Sequence, residues 1–579
     1  ERRPDPLPYQ FPLSARDSMD YTQAPVGFRL ELFASEPDII NPIGLAWDER
    51  GRLWVAETVD YPNEMTPDRV GNDKIKILED TDGDGEYDKS TLFLEGLNYP
   101  TGVLPWRGGV LITAAPEILW ARDTDGDGKA DEKKVLYDGF RVGNPQHRVN
   151  GLRWGLDNWI HIANGDSDGT IRSVKTGKTI NISGRDLRIR PDEGLLEAQS
   201  GETQFGRCRD DWGNWFGNNN SNALWHYVLR DHYLRRNPHV ASPRTYHMVP
   251  EEQGRLQLYP TSVTVERFND FNTANRVTST CGTGIYRDTW LGEEFYGNAF
   301  ICEPVHNLVI RQVLSANGLT FSSRRGSGEE RREFLSSSDN WFRPVTAKTG
   351  PDGALYIVDM YRHVIEHPEW IPKRWQARLN LRAGEDKGRI YRLVRPGVKR
   401  GTIPRLDKLE TGKLVYEIGS SNGELRDMVH IEMMHRADRA GLSFSLRSVS
   451  AVAESPAVRI QALAALDGMG GIMEPGFLHR LEDPHPDVRR QAVRIAERIP
   501  ATPALLQALA KLLDDPDVRV RHQLYTSLGN VDSPEAEALL ELACRKYEVA
   551  SDPHGWIRAG LLSSVRPSLA ARILAAGQD

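Results

Sequence analysis

The chain reads as an all-β propeller followed by an all-α solenoid. Two observations predict the propeller. Segments of the form apolar strand, tight turn, apolar strand recur as IGLAWDERGRLWVAET (43–58), TGVLPWRGGVLITAAP (101–116), LRWGLDNWIHI (152–162) and VTAKTGPDGALYIVDMY (345–361). Hairpins repeated at blade-like intervals are what a propeller looks like in sequence. Two acidic loops, DTDGDGEYD (80–88) and DTDGDGKAD (123–131), lie 43 residues apart, the length of one blade. A third observation predicts the solenoid. Beyond residue 405 the apolar period changes from 2 to 3.6, and Val458, Val488 and Val518 fall 30 residues apart in SPAVRIQALAAL, HPDVRRQAVRIA and DPDVRVRHQLYTSL. DPHGWIRAGLLSSV (552–565) is a looser fourth copy. Repeats of this HEAT type bury their apolar face only against their neighbours. The expected boundaries are 1–24 for an extended leader, 25–400 for the propeller and 405–579 for the solenoid. A cut near Lys399–Arg405 is expected to release two folded pieces.

The totals narrow the function. A length of 579 residues suits at least two domains, and 39% hydrophobic with 27% charged residues describes a folded chain. A net charge of −8 with the signs interspersed argues against a nucleic-acid partner. No run approaches the roughly 18 apolar residues of a membrane span, so no membrane insertion is expected. The first residue is Glu1 and no apolar signal region follows, so a targeting peptide has been removed or the chain trimmed.

Taken in order, the Pro-rich, polar leader reads as extended and packed on the surface. FRLELFA alternates from Phe28 and opens the strand pattern. The acidic loops each place Asp at positions 1, 3, 5 and 9 and Gly at 6, which is the start of a calcium loop. The candidate ligands are Asp80, Asp82, Asp84 and Asp88, then Asp123, Asp125, Asp127 and Asp131. Position 12 carries Thr91 or Lys134 instead of Glu, so the alternative is a tight Asp/Gly turn without metal.

The block QFGRCRDDWGNWFGNNNSNALWH reads as neither strand nor helix. Trp215, Asn218, Asn220, Asn222 and His226 in it suit a sugar site, because Trp faces stack on rings and Asn both donates and accepts. The alternative is a structural loop whose Trp residues plug the propeller floor. The charged RRGSGEERREF (324–334) reads as a solvated turn, and GRIYRLVRPG (388–397) closes the propeller. In the solenoid, Ser455-Pro456, Asp515-Pro516 and Asp552-Pro553 read as a helix cap followed by Pro at the first helical position. The chain is expected to continue past Asp579, which no polar capping repeat precedes.

Only the hairpin at 152–162 is preceded by a His and closed by Asn-Gly-Asp. His147 could take a proton from a sugar hydroxyl at a propeller mouth, with Asp166 fixing its tautomer. Arg148, Arg153 and Arg343 are candidates to hold an anionic cofactor or a uronate. Asn150, Asp168, Tyr361 and Arg362 complete the candidate binding set.

The offsets of His147, Gly155, Asp157 and Gly165-Asp166 are similar to those in the catalytic strand pair of soluble pyrroloquinoline-quinone sugar dehydrogenases, which are six-bladed propellers. FRPVTAKTGPDGALYIVD (342–359) resembles their last blade. A longer resemblance, through GFRLELFASEPDIINPIGLAWDERGRLWVAET, EDTDGDGEYD, HRVNGLRWGLDNWIH, QFGRCRDDWGNWFGNNNSNALWH and CEPVHNLV, is to the PVC-type haem-binding, "membrane-bound dehydrogenase" proteins. Those join a propeller to HEAT repeats. The resemblance implies six blades, a quinone, a carbohydrate substrate, an electron-accepting cytochrome domain or partner, and an exported, periplasmic or extracellular location. In that setting Cys281 and Cys302 suit one disulfide, or else two reduced core thiols. No Cys-x-x-Cys-His occurs, so no haem is expected in this chain. Three functions stand open. They are a quinone-dependent sugar or polyol dehydrogenase with His147 as base, a lyase or hydrolase on anionic glycans, and a non-catalytic carbohydrate- or protein-binding propeller.

Overall fold

A computed structural model describes residues 10–566 except 64, 67, 69, 253 and 264–274. Residues 1–9 of the expected leader and 567–579 of the expected solenoid therefore lie outside the described residues. Six antiparallel sheets make a six-bladed propeller. The first four blades start from inner strands at Pro42–Trp47, Gly102–Trp106, Asn150–Trp154 and Cys208–Arg209. Blades five and six start from Cys281–Ile285 and Pro344–Thr349. Strands such as Leu53–Glu57 and Leu355–Asp359 are buried at every position, because neighbouring blades cover both faces of each sheet. The ring closes on blade six, where Arg29–Ser35 from the start of the chain pairs with Arg389–Val394.

The leader is not simply extended. Ser14 caps a short helix, Ala15–Asp20, and Thr22–Gln23 then adds a strand to the edge of blade five. The Trp/Asn block is also corrected. Trp215–Asn219 and Asn222–Tyr227 are adjacent strands of blade four, turned by Asn219, whose side chain accepts from the backbone of Ser221 and Asn222. No alternation announced them, because both faces are covered. The stretch 324–334 is not a solvated turn throughout. Glu329 and Glu333 are buried and paired with Arg311 and Arg325 at 3.1 and 2.7 Å. Cys281 and Cys302 face each other in register on adjacent strands, and both thiols are free.

The helical part begins with a turn at Leu406–Lys408 and continues to Trp556–Ser564. Two of the expected caps are displaced. Asp517, not Asp515, caps Val518–Leu528, and Gly555, not Asp552, precedes Trp556. Asp515 instead receives Arg489 of the preceding repeat at 2.7 Å, as Asp483 receives Arg459 at 2.8 Å. The aspartates before proline thus join repeat to repeat.

The two parts share one core. A continuous apolar cluster runs from Trp47, Trp54 and Val358 to Leu406, Val429 and Leu466. The helix Gly423–His435 lies across one end of the propeller. Lys348 meets Glu424 at 2.6 Å, Arg426 meets Asp211 at 2.6 Å, and His430 packs edge-on to Trp154. The shared core makes it an open matter for limited proteolysis whether a cut at 399–405 releases the two pieces or leaves them bound.

Candidate functional site

With one end of the propeller covered by helix, the other carries a cavity of ≈ 350 Å³. Every blade contributes to it, through Tyr61, Tyr99, Arg148, Gln204, Cys281 and Met360 in turn. A second void of ≈ 30 Å³ follows down the axis, and a third of ≈ 40 Å³ ends against the Gly423–His435 helix.

The entry to blade three builds the polar side of this mouth. Gly165, at φ +82°, lies so close to this segment that an added Cβ would stand 2.1 Å from the Arg148 carbonyl oxygen. Asn164 accepts the backbone N–H groups of Ser167 and Asp168 and holds the turn. That packing brings Asp166 beside His147, with Oδ2 3.7 Å from Nδ1. Gln204 settles the tautomer. Its Oε1 accepts the Asn220 N–H at 2.7 Å, so its amide N–H₂ faces His147 Nε2 at 2.6 Å. Nε2 is then the acceptor, and Nδ1 carries the proton toward Asp166. Burial holds the His147 imidazole below its ordinary pKa, against the opposing pull of Asp166 and Glu369. At neutral pH the ring is neutral, with its lone pair on Nε2.

Arg148 is 3% exposed. One Nη reaches the carbonyls of Val142 and Gly143 at 3.1 Å, and the guanidinium lies 4.5 Å from the Tyr99 ring centre. Its Nε and Nη1 have no partner. Burial lowers its pKa, and Tyr99 and Asp73 oppose the shift.

The other expected residues are distributed more widely. Asn150 is a rivet between blades three and four, donating to the Arg148 and Gln204 carbonyls and accepting from the Gly206 N–H. Asp168 accepts the Gly184 N–H and lies 3.9 Å from Arg141. Asn220 lines the cavity. Asn218 is buried on Thr283, and Asn222 donates to Asn219 within the turn. Arg153 sits lower, on the ≈ 30 Å³ void, and donates to the Leu152 carbonyl.

Arg343, expected to hold an anion, and Arg362, expected in the binding set, are both spent on protein groups instead. Arg343 collects the carbonyls of Pro304, Val305, Arg362 and His363. Arg362 binds Asn41 Oδ1 and the carbonyls of Tyr61 and Leu381. Tyr361 is buried on Asp339 beneath Arg389. Trp215 and His226 are corrected as sugar contacts. Trp215 stacks on His161 at 4.0 Å, and His226 bonds Thr320, both remote from the cavity.

The sequence reading missed Gln204, Tyr99 and Trp370, which line the cavity. Trp370 is 49% exposed and offers a flat apolar face. Gln204 could have been found as the polar residue that opens the Trp/Asn block.

Six of the acidic-loop residues converge. Asp80, Asp82 and Asp88 form one group of carboxylates within 4.8 Å, and Asp123, Asp125 and Asp131 form another. Asp84 and Asp127 stand outside these groups, their carboxylates accepting the Glu86 and Lys129 N–H. Each trio of oxygen donors fits a hard cation such as calcium.

A family profile described as a domain of unknown function, DUF7133, matches residues 14–397. The chain belongs to that family. A HEAT-repeat profile matches residues 474–558, and no curated protein matches. Among solved structures, the DUF7133 chain is similar to a glucose dehydrogenase at 15% identity and TM-score 0.35, covering 63% of this chain and 98% of the other. The holo PQQ domain of Coprinopsis cinerea pyranose dehydrogenase gives 13% and 0.36, covering 65% and 97%. The PQQ-bound aldose sugar dehydrogenase of Streptomyces coelicolor gives 12% and 0.35, covering 64% and 100%. Likeness at this level does not carry activity with it. Among the described residues, no helix is long and apolar enough to cross a membrane.

Proposed function

We propose that the DUF7133 propeller acts on a carbohydrate bearing a carboxylate, held in the ≈ 350 Å³ cavity, with His147, which stands behind the lining residue Gln204, as the base. Arg148 carries this reading. Its guanidinium lies against the cavity wall with Nε and Nη1 unsatisfied and closed to solvent, a desolvation cost that a ligand anion relieves once the side chain turns toward it. Trp370 supplies an apolar face for a sugar ring. A ligand hydroxyl or C–H can take the place of the Gln204 amide at His147 Nε2, with Asp166 steadying the imidazolium that forms. With Arg148 neutralising the carboxylate, the proton on the adjacent carbon becomes acidic. In an elimination that proton moves to Nε2, its bonding pair forms the C=C bond, the C–O bond on the next carbon breaks, and the leaving oxygen takes a proton from water.

The quinone reading fits the wall less well. Arg148 is the one Lys or Arg among the described residues of the cavity wall, which also carries Glu366. A quinone with several carboxylates needs several cations, so no step is routed through one. The PVC-type resemblance and its cytochrome partner belong to that dehydrogenase reading. An exported setting, periplasmic or extracellular, suits either.

Calorimetric titration with glucuronate and glucose, and ultraviolet detection of unsaturated product from uronate polymers, test the proposal. Uronate should bind and glucose should not, and Arg148→Gln should weaken uronate binding by about 10-fold or more. His147→Ala should keep binding and lose about 100-fold in turnover. Equal binding of glucose and glucuronate, indifferent to Arg148→Gln, would overturn it.

A further inference from the structure

A chamber of ≈ 60 Å³ lies where blades three and four meet the solenoid, away from the cavity. Arg207, Arg230, Arg490, Arg494 and Arg519 line it together with three histidines, and no Asp or Glu among the described residues does. Three of these arginines are compensated from outside the chamber. Arg207 pairs with Asp186. Arg490 and Arg519 share Asp487 at 2.9 and 3.4 Å, and Arg519 also holds Asp517 at 2.8 Å.

Arg230 and Arg494 have no carboxylate within reach among the described residues. Arg230 donates to the Gly213 carbonyl at 3.2 Å, and Arg494 to Gln523 and Gln491 at 2.7 and 3.4 Å. The carboxylate that acts on both, Asp157, is already committed to His161 and Arg188 at 3.1 and 2.7 Å. Burial and neighbouring arginines hold both guanidiniums below their ordinary range. Burial, with the same positive surroundings, takes His226 down to about 3 and His522 to about 4.

Independent of charge, donors are left over. Arg490, 6% exposed, has an unpartnered Nε, as does Arg207, 2% exposed. Waters could fill the space but would not neutralise two buried charges.

We propose that this chamber binds a small inorganic oxyanion of the phosphate or sulfate class, which ties the solenoid to the propeller. A tetrahedral dianion offers acceptors to the leftover donors and balances Arg230 and Arg494 together. Because the arginines come from both parts of the chain, the bound anion stabilises their junction, and anything that binds only the folded state raises its melting temperature.

The test uses the full chain dialysed into a chloride buffer free of phosphate and sulfate. Inorganic phosphate and sulfate are titrated calorimetrically, and thermal unfolding is followed at matched ionic strength with chloride as control. Expected are saturable binding at one site and a rise of about 2 °C or more at 100-fold excess over Kd. Chloride should give no such rise. Arg494→Gln should melt no lower than the wild type in chloride and lose the response, whereas Arg148→Gln, altered at the distant cavity, should keep it. The same shift with chloride as with phosphate, or an undiminished response in Arg494→Gln, would overturn the proposal. Should Arg494→Gln not fold, saturable calorimetric binding to the wild type decides the matter, and its absence sinks the idea.

Discussion

Replacing Asp427 by alanine probes how the two halves are held together. Asp427 lies on the Gly423–His435 helix, and its carboxylate receives Arg209 from blade four and Arg287 from blade five, the latter at 2.5 Å. Gln461 adds a hydrogen bond at 3.2 Å. The side chains of Arg209 and Arg287 are only 2% and 8% exposed. Removing the carboxylate strands Arg209 beside Arg287 with no route to water. Breaking a buried pair in this way costs about 3–5 kcal/mol, most of it the desolvation of the charge left behind. The conversion to temperature depends on how much of the chain unfolds together. With about 2.1 cal/mol/K per residue, a chain melting as one unit should lose about 3–4 °C, and a solenoid melting alone about 8–14 °C. The continuous apolar cluster predicts the first outcome. Scanning calorimetry of wild type and Asp427→Ala should therefore show one endotherm moved by about 3–4 °C. Two separate endotherms would refute the shared core, and a shift below about 1 °C would refute the weight given to the ion pair.

Two other predictions concern charge. Burial pushes the Asp211 carboxyl up, but Arg287, Arg426 and Arg209 outweigh it and hold its pKa well below the usual carboxylate range. A depressed folded pKa gives stability that is present above the unfolded value near 4 and is lost as pH falls through the folded one. The melting difference between wild type and Asp211→Asn should thus be full at neutral pH and shrink below about pH 4; a difference that grows on acidification would be inconsistent with the pairing. Calcium added to chelator-treated protein should raise the melting temperature, and the combined Asp80→Asn and Asp123→Asn variant should not respond. A chain without calcium by elemental analysis and without a thermal response would make both loops plain turns.

What was legible in the sequence follows from what covers each residue. Leu152, Trp154, Ile160 and Ile162 alternate and are all buried, so the central hairpin could be read directly. The approach of Asp166 to His147 was legible for a similar reason, since Gly165 must lie against Arg148 and the spacing records that contact. Blade four was opaque. Trp215–Asn219 carries Gly217 and Asn218 at buried positions, so neither alternation nor an apolar run announces the strand. The arginines were harder still. Arg148, Arg343 and Arg362 are all buried on the same end of the propeller, but Arg343 and Arg362 are surrounded by carbonyls of connecting loops, which no residue type announces.

The two ends of the propeller differ in what faces their arginines. At the covered end the solenoid brings helices against blades three and four, adding Arg490, Arg494 and Arg519 to the propeller's Arg207 and Arg230. Among the described residues no comparable second surface covers the open end, where Arg148 keeps two unsatisfied donors beside a cavity of ≈ 350 Å³. An anion entering the open end would meet one guanidinium and, behind the Gln204 amide, the His147 imidazole, which on the proposed function suits turnover and release. An anion in the chamber meets two uncompensated charges and is enclosed by both parts of the chain, which suits a permanent tie. On the two proposals, the same kind of side chain would serve chemistry at one end and assembly at the other, according to what the solenoid covers.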